Sequence, residues 1–216
     1  MKAVQEQRIS VLLVDDHAVV REGYRRLLER DASLVVVAEA ATAAQALRCD
    51  EQFKPDVVVL DIALPGVSGI EILRRILARR PEARVLMFSM YQDGIYASRA
   101  IEAGACGYLS KASAPDLLLD AVRSVARGRR YLSPDVEQVL ALSSAADGPA
   151  SALSARELEV LRMLSQGYSV EKIGERLGLS PKTAANHQSS IKQKLGADSA
   201  LQLILIAQQL GLILQK

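Results

Sequence analysis

The sequence predicts an α/β doubly wound five-stranded parallel sheet followed by a small all-α domain of four helices. Three observations carry that prediction. Short β-branched runs alternate with helical patterns five times up to Gly128, and repeated βα units give a parallel sheet covered on both faces. A stretch of small and polar residues, Ser143 to Ser151, then interrupts the patterning. From Leu153 onward the periodicity is purely helical.

In chain order, strands are expected at 9–14, 34–38, 56–60, 84–88 and 105–109, with helices at 18–30, 43–52, 68–79, 94–103 and 114–127. Ser113, with Asp116 three residues on, reads as a capping box for the last of these helices, and Gly128 closes it. Residues 129–152 read as a linker with a short helix over 134–142. The tail, 153–216, should hold helices at 155–166, 170–178, 181–195 and 199–210.

Composition narrows the classes of function. The chain has 216 residues, half of them hydrophobic, and can bury a core in each of two domains. From Ser151 onward it carries eight Lys and Arg against five Asp and Glu, while the first 150 residues hold nineteen against twenty. A mildly basic tail permits nucleic-acid binding without requiring it. Cys49 and Cys106 have no metal-ligand spacing and are read as buried free thiols in a reducing compartment. The first apolar run stops at Asp15-Asp16, so no signal peptide is expected, and no stretch approaches the roughly 18 residues of a membrane span. A soluble, cytoplasmic protein with no membrane partner is expected.

The chemistry lies at the strand ends. Asp15 and Asp16 end the first apolar run, Asp61 the third and Ser89 the fourth, and Lys111 sits just past the fifth. In an open parallel sheet ligands bind outside the carboxyl ends of the strands, so these groups converge on one rim. Three carboxylates, a hydroxyl and an ammonium suit a divalent metal and a phosphoryl group. Mg²⁺ takes one or two carboxylates plus phosphate oxygens. Asp61 is then the natural nucleophile, and Lys111 would neutralise the equatorial oxygens of the transferring group. Ser89 is placed to donate a hydrogen bond to the phosphoryl group.

Val14-Asp15-Asp16-His17, Leu60-Asp61-Ile62-Ala63-Leu64-Pro65-Gly66, Phe88-Ser89 and Gly104 to Lys111 resemble, in order and spacing, the receiver domain of two-component response regulators. The resemblance covers about residues 8–128 and implies a flavodoxin-like fold. It implies that Asp61 is the phospho-acceptor and that Asp15, Asp16, Asp61 and the backbone carbonyl of Ala63 hold Mg²⁺. Ser89 and Tyr108 would be the switch pair, with Lys111 on the phosphoryl group. Taken alone, Tyr108 reads as a strand residue packed on the fourth helix. Ala63 offers no polar side chain to an attacking water, and Met90 is bulkier than is usual after the switch hydroxyl. Together they suggest a long-lived aspartyl phosphate.

In the tail, Ser154 with Glu157 reads as a capping box, and Ile173 to Ser180 as a short helix, a glycine turn and a new N-cap. Pro181 follows at the first helical position, where its missing N–H costs nothing. This is the helix-turn-helix plan, the second helix being the reader of the major groove. At 100° per residue Ala184, Ile191 and Leu195 share one face, while Lys182, Asn186, Ser189 and Gln193 share the other. No acidic residue occurs from Ser180 to Ala197.

Leu153-Ser154-x-Arg156-Glu157-x-Glu159-Val160-Leu161, Gly167-Tyr168-Ser169, Ile173-Gly174 and the run from Leu179 to Leu195 resemble the LuxR-type helix-turn-helix. A receiver followed by this domain resembles the NarL/FixJ family of response regulators. The candidate DNA contacts are Lys182, Thr183, Ala185, Asn186, Ser189, Ser190, Lys192, Gln193 and Lys194. Three positions depart from the usual pattern. Val170 stands in place of Asn, Ala184 in place of a core Val, and Ala185 in place of a frequent Lys. Losing that Lys should weaken affinity and its salt dependence, leaving Asn186 as the best base reader, with adenine its natural partner. The last helix, Leu201 to Leu210, is apolar nearly all round and is split evenly between burial in its own domain and contact with a second copy.

These readings converge on a transcription regulator phosphorylated at Asp61 by a partner histidine kinase. The modified form would dimerise and bind double-stranded promoter DNA. It is not an enzyme beyond assisting its own phosphoryl transfer and dephosphorylation. Two alternatives remain at this level. One is an atypical regulator that works through protein contacts without phosphate. The other is a phosphatase of the haloacid dehalogenase type, which would want a second Asp where Ala63 stands.

Overall fold

The computed structural model describes residues 8–91, 94–113, 115–142, 152–210 and 212. Strands β1 (Ile9–Val14), β2 (Leu34–Ala40), β3 (Val57–Leu60), β4 (Val85–Ser89), β5 (Gly107–Ser110) and β6 (Tyr131–Leu132) form one parallel sheet in the order β2-β1-β3-β4-β5-β6. The order reverses between β1 and β3, which is where a doubly wound sheet opens a crevice for ligands. Helices α1 (Ala18–Leu28), α2 (Ala43–Phe53), α3 (Gly69–Arg79), α4 (Gly94–Glu102) and α5 (Asp116–Ala126) cover the two faces.

The strands alternate between those faces, as a period of two requires. Val11, Leu13, Val57, Val59, Leu86, Phe88 and Leu109 pack with Leu28 of α1 and with Leu118, Ala121, Val122 and Val125 of α5. Leu12, Val14, Val58, Leu60, Val85, Met87 and Tyr108 belong to the opposite layer with Ile72, Leu73 and Ile76 of α3 and Tyr96 of α4. Fully burying each of these larger side chains is worth about 1.5–3 kcal/mol.

Three expectations are corrected. The sheet has six strands, because Tyr131–Leu132 leaves the linker to pair with Gly107 and Tyr108. Ser113 does not cap α5; its hydroxyl turns to Asp135 at 3.2 Å, and Pro115 stands at the N-cap with no side-chain cap bond. Cys49 and Cys106 are free thiols but only half-buried. The linker helix appears as α6 (Pro134–Leu142), packed on α4 and β5. The polar stretch 143–151 lies outside the described residues.

The tail holds α7 (Ala155–Ser165), α8 (Val170–Leu177), α9 (Pro181–Leu195) and α10 (Ala200–Gln209). Each has a serine N-cap bonding the backbone N–H three residues on, and Ser154 and Ser199 complete full capping boxes. Gly178 ends α8 in the left-handed conformation (φ 61°), the tight turn between the two helices of the motif. Leu158, Leu161, Ile173, Leu177, Ala184, Ile191, Leu203 and Ala207 form the tail core, and it is contiguous with the α3–α4 layer of the sheet. Among the described residues no helix is long and apolar enough to cross a membrane.

Candidate functional site

The ends of β1, β3 and β5 bring Asp15, Asp61 and Lys111 together as the sequence predicts. Lys111 Nζ donates to Asp15 Oδ2 at 2.6 Å and to Asp61 Oδ2 at 2.5 Å, and all three side chains are at least nine-tenths buried. Burial works against the Lys111 charge, but Asp61 and Asp15 outweigh it and hold the ammonium above its ordinary value. Burial likewise pushes the Asp61 carboxyl up, with Lys111 opposing.

Backbone geometry fixes Asp61. Asp61 Oδ1 accepts from the N–H of Ala63 at 3.3 Å, and Gly69 N–H closes the loop onto Ile62 O at 2.7 Å. A Cβ at Gly69 would lie 2.0 Å from the Asp61 carbonyl oxygen, so only glycine lets α3 start this close to Asp61.

Asp15, Asp16 and His17 place one ligand atom each within 4.8 Å of one another. Asp15 Oδ1 accepts from His17 N–H at 2.8 Å, and His17 Nδ1 lies 2.9 Å from Asp16 Oδ1. That Asp16 oxygen is buried without a hydrogen-bond partner among the described residues. Hard carboxylate donors with one oxygen unsatisfied fit a divalent oxygen-seeking cation. Receiver domains typically hold Mg²⁺ through such acidic residues.

The switch candidates are close by. Ser89 is fully buried, and its Oγ accepts from Tyr91 N–H at 3.3 Å. Tyr108 is also fully buried, and its hydroxyl donates to Tyr91 O at 2.5 Å. Met90 points outward, 65 % exposed. Tyr91 therefore meets both Ser89 and Tyr108 on its backbone. Its ring stacks on Tyr96 at 4.4 Å, and the Arg162 guanidinium of α7 lies over it at 4.6 Å. Sequence reasoning missed Tyr91. An aromatic two residues past the switch hydroxyl was the available signal.

The helix-turn-helix presents α9 outward. Lys182, Ala185, Asn186, Ser189 and Gln193 are exposed, Thr183 and Lys192 are half-buried, and Ala184 and Ile191 are buried. The sequence sets Ser190 and Lys194 among the DNA contacts, whereas the structure turns both toward Glu157. Ser190 Oγ donates to Glu157 Oε1 at 2.6 Å, and Lys194 Nζ to its two oxygens at 2.9 and 2.7 Å. Burial alone would raise the Glu157 carboxyl, but bonds from Lys194, Ser190 and Ser154 outweigh it and hold it at about 2. On α10, Leu201 and Leu205 are exposed at one-turn spacing while Leu203 and Ala207 face the core.

α7 also reaches the receiver rim. Arg156 Nη2 donates to Leu64 O at 3.0 Å, and its Nη1 to Glu159 Oε2 at 2.5 Å. Gly66 N–H donates to Leu177 O at 2.7 Å, and Pro65 lies against Gly178. Burial pushes the fully buried Glu159 up to about 7, with Arg156 and Ser68 opposing.

A parallel doubly wound sheet with an acidic, lysine-bridged rim, joined to a helix-turn-helix, defines a response regulator with a DNA-binding output domain. Comparison with known proteins agrees: residues 11–123 match the response regulator receiver domain, and residues 151–207 match the bacterial regulatory proteins of the luxR family. The chain is 35 % identical to response regulator GacA of Pseudomonas aeruginosa over 95 % of its own length and 98 % of that protein. It is 36 % identical to response regulator UvrY of Escherichia coli, covering 94 % and 95 %. Among solved structures, a LuxR-family two-component response regulator from Aurantimonas is 47 % identical with a TM-score of 0.62. That likeness covers 63 % of this chain and 97 % of that one. RcsB from Salmonella enterica, solved on a promoter with a phosphomimetic, is 26 % identical with a TM-score of 0.65, covering 92 % and 98 %. The chain belongs to the NarL/FixJ family of two-component response regulators and carries a LuxR-type DNA-binding domain.

Proposed function

We propose that this regulator is switched by Mg²⁺-dependent phosphorylation of Asp61, which promotes dimerisation and promoter binding. The observation that carries the reading is the buried Lys111 bridge between Asp15 and Asp61. An ammonium held between two carboxylates is placed to follow the acceptor from carboxylate to acyl phosphate, stabilising the charge that gathers on the transferring group. The carboxylate attacks phosphorus, the bond to the donor's leaving group breaks, and the phosphoryl group remains on Asp61. Asp15, Asp16, Asp61 and the Ala63 carbonyl would hold Mg²⁺, which supplies charge neutralisation at the phosphoryl oxygens. The donor is a cognate histidine kinase.

The exposed α9 face supports DNA reading, with Asn186 for a base edge and Lys182 for phosphate. Lys192, Thr183, Ala185, Ser189 and Gln193 line the same helix. Leu201 and Leu205 on α10 would meet a second copy when paired half-sites are bound. Ala63, with no polar side chain to direct water, supports a long-lived phosphoryl group.

Incubation with acetyl phosphate and Mg²⁺, followed by intact-mass analysis, tests the core of this reading. One phosphoryl group per chain, absent in Asp61→Asn and lost over many minutes, is expected. No modification in the wild type would overturn it, and a half-life of seconds would remove the long-lived form alone.

A further inference from the structure

Lys111 has an aromatic partner besides its two carboxylates. Its Nζ donates to Asp15 and Asp61, and it also lies over the Phe88 ring, 5.8 Å from the centroid. That ring is packed against Tyr24 of α1 as an edge-to-face pair, the centroids 4.6 Å apart at 70°. We propose that Phe88 is a positioning residue for Lys111, its ring face keeping the ammonium beside Asp61 while the phosphoryl group arrives. The proposal rests on the phospho-acceptor reading above and adds a residue to that site.

The placement follows from the register of the sheet. Phe88 of β4 pairs with Leu109 of β5, and both side chains enter the layer under α1 and α5. Lys111 N–H donates to Ser89 O at 2.8 Å, which carries the ladder one step past β5. At a period of two, Lys111 leaves the chain on the face of Leu109 and so passes Phe88. Phe88 and the Lys111 side chain are both 5 % exposed, and a cation is attracted to a ring face more strongly when desolvated. Edge-to-face packing is an arrangement that aromatic pairs prefer, so Tyr24 holds the plane of the ring.

The ring offers what another polar group would not. An ammonium has three N–H groups, and Asp15 and Asp61 take two of them. When an Asp61 oxygen forms its bond to phosphorus, the donor's leaving group departs with the old bonding pair. Negative charge then gathers on the phosphoryl oxygens rather than on the carboxylate, and the ammonium has to follow it. A ring face attracts the ammonium but presents no lone pair, so it leaves a donor available for the phosphoryl oxygens. A third carboxylate in that place would claim the donor and hold the charge back. Leucine would fill the space without holding the ammonium, and reorganising that charge during the transfer costs rate.

The chain has two phenylalanines. Phe53 ends α2 and is 44 % exposed. In a Phe53→Leu background, growth on mono-, di- or trifluorinated phenylalanine therefore alters ring 88 alone, withdrawing charge from its face with little change of shape. Labelling of the full chain by acetyl phosphate with Mg²⁺, followed by intact mass, reads the rate. The rate is expected to fall about twofold per fluorine, and about tenfold in Phe88→Leu. Helical content by circular dichroism checks that each form is folded. A rate independent of fluorine content would overturn the proposal, even with Phe88→Leu slow, because packing alone would then account for the loss. Absence of labelling in the wild type would instead remove the phospho-acceptor reading, and the proposal with it.

Discussion

The rim of the sheet and the outer face of α9 are built on opposite terms. At the rim Asp15, Asp61 and Lys111 are buried and already bonded to one another. Along α9 the polar side chains of Lys182, Asn186 and Gln193 stand in solvent. Groups that react or hold a metal need their partners placed in advance, since reorganising them during the reaction costs rate. Groups that read DNA must leave their hydrogen-bonding capacity open until the base edges arrive. One chain thus contains a preorganised site and a waiting one, with α7 touching both domains.

The sharpest way to break this contrast is at the rim. Asp61→Asn keeps the shape of the side chain but removes the proposed nucleophile, and complete loss of acetyl-phosphate labelling is expected. Residual labelling at full stoichiometry would place the acceptor elsewhere.

The waiting site depends on a core. Ile191 is fully buried beneath α9, and Ile191→Ala should cost about 2–5 kcal/mol of tail stability in urea unfolding. A loss below about 1 kcal/mol would show that α9 is not anchored there.

Glu157 joins α7 to α9, and its low value ties stability to pH. Its carboxyl lies at about 2 in the folded chain against an ordinary 4.5. That contribution is fully present above pH 4.5 and is lost as pH falls from there toward 2. With Lys194 partly exposed, about 2 kcal/mol is expected. Urea midpoints for Glu157→Gln should vary less with pH across that window than those of wild type. An identical pH profile would remove the assignment.

On the reading face the effects are smaller and differ in kind. Asn186→Ala should cost about 1–3 kcal/mol of discrimination between the operator and a single-base variant. Lys182→Ala should weaken all sequences alike and lower the salt slope by about 0.9. Equal weakening on every sequence in Asn186→Ala would reassign that residue to the backbone.

Much of this was legible in the sequence, for identifiable reasons. Strand ends carrying Asp15, Asp61, Ser89 and Lys111 could be found because the central strands of a parallel sheet, covered on both faces, read as continuous apolar runs that break off at the polar residues. The helices of the tail could be placed within two residues because their serine caps, Pro181 and Gly178 are local signals. Tyr131–Leu132 escaped because a two-residue strand has no periodicity and exists only through pairing with β5. Arg156 and Glu159 carried only a place in the LuxR-type motif, and their burial shows up only where α7 meets the receiver. Ser190 and Lys194 fall on a polar stretch that is open in a helical projection, yet Glu157 of a neighbouring helix claims both.

The most direct test is the affinity of the full-length protein for promoter fragments of its own genome, measured with Mg²⁺ in the presence and absence of beryllofluoride. Selective binding that tightens with the mimic, and does not tighten in Asp61→Asn, is the expected result. Equal affinity in both states would contradict the account, leaving a DNA-binding protein whose rim does not control it.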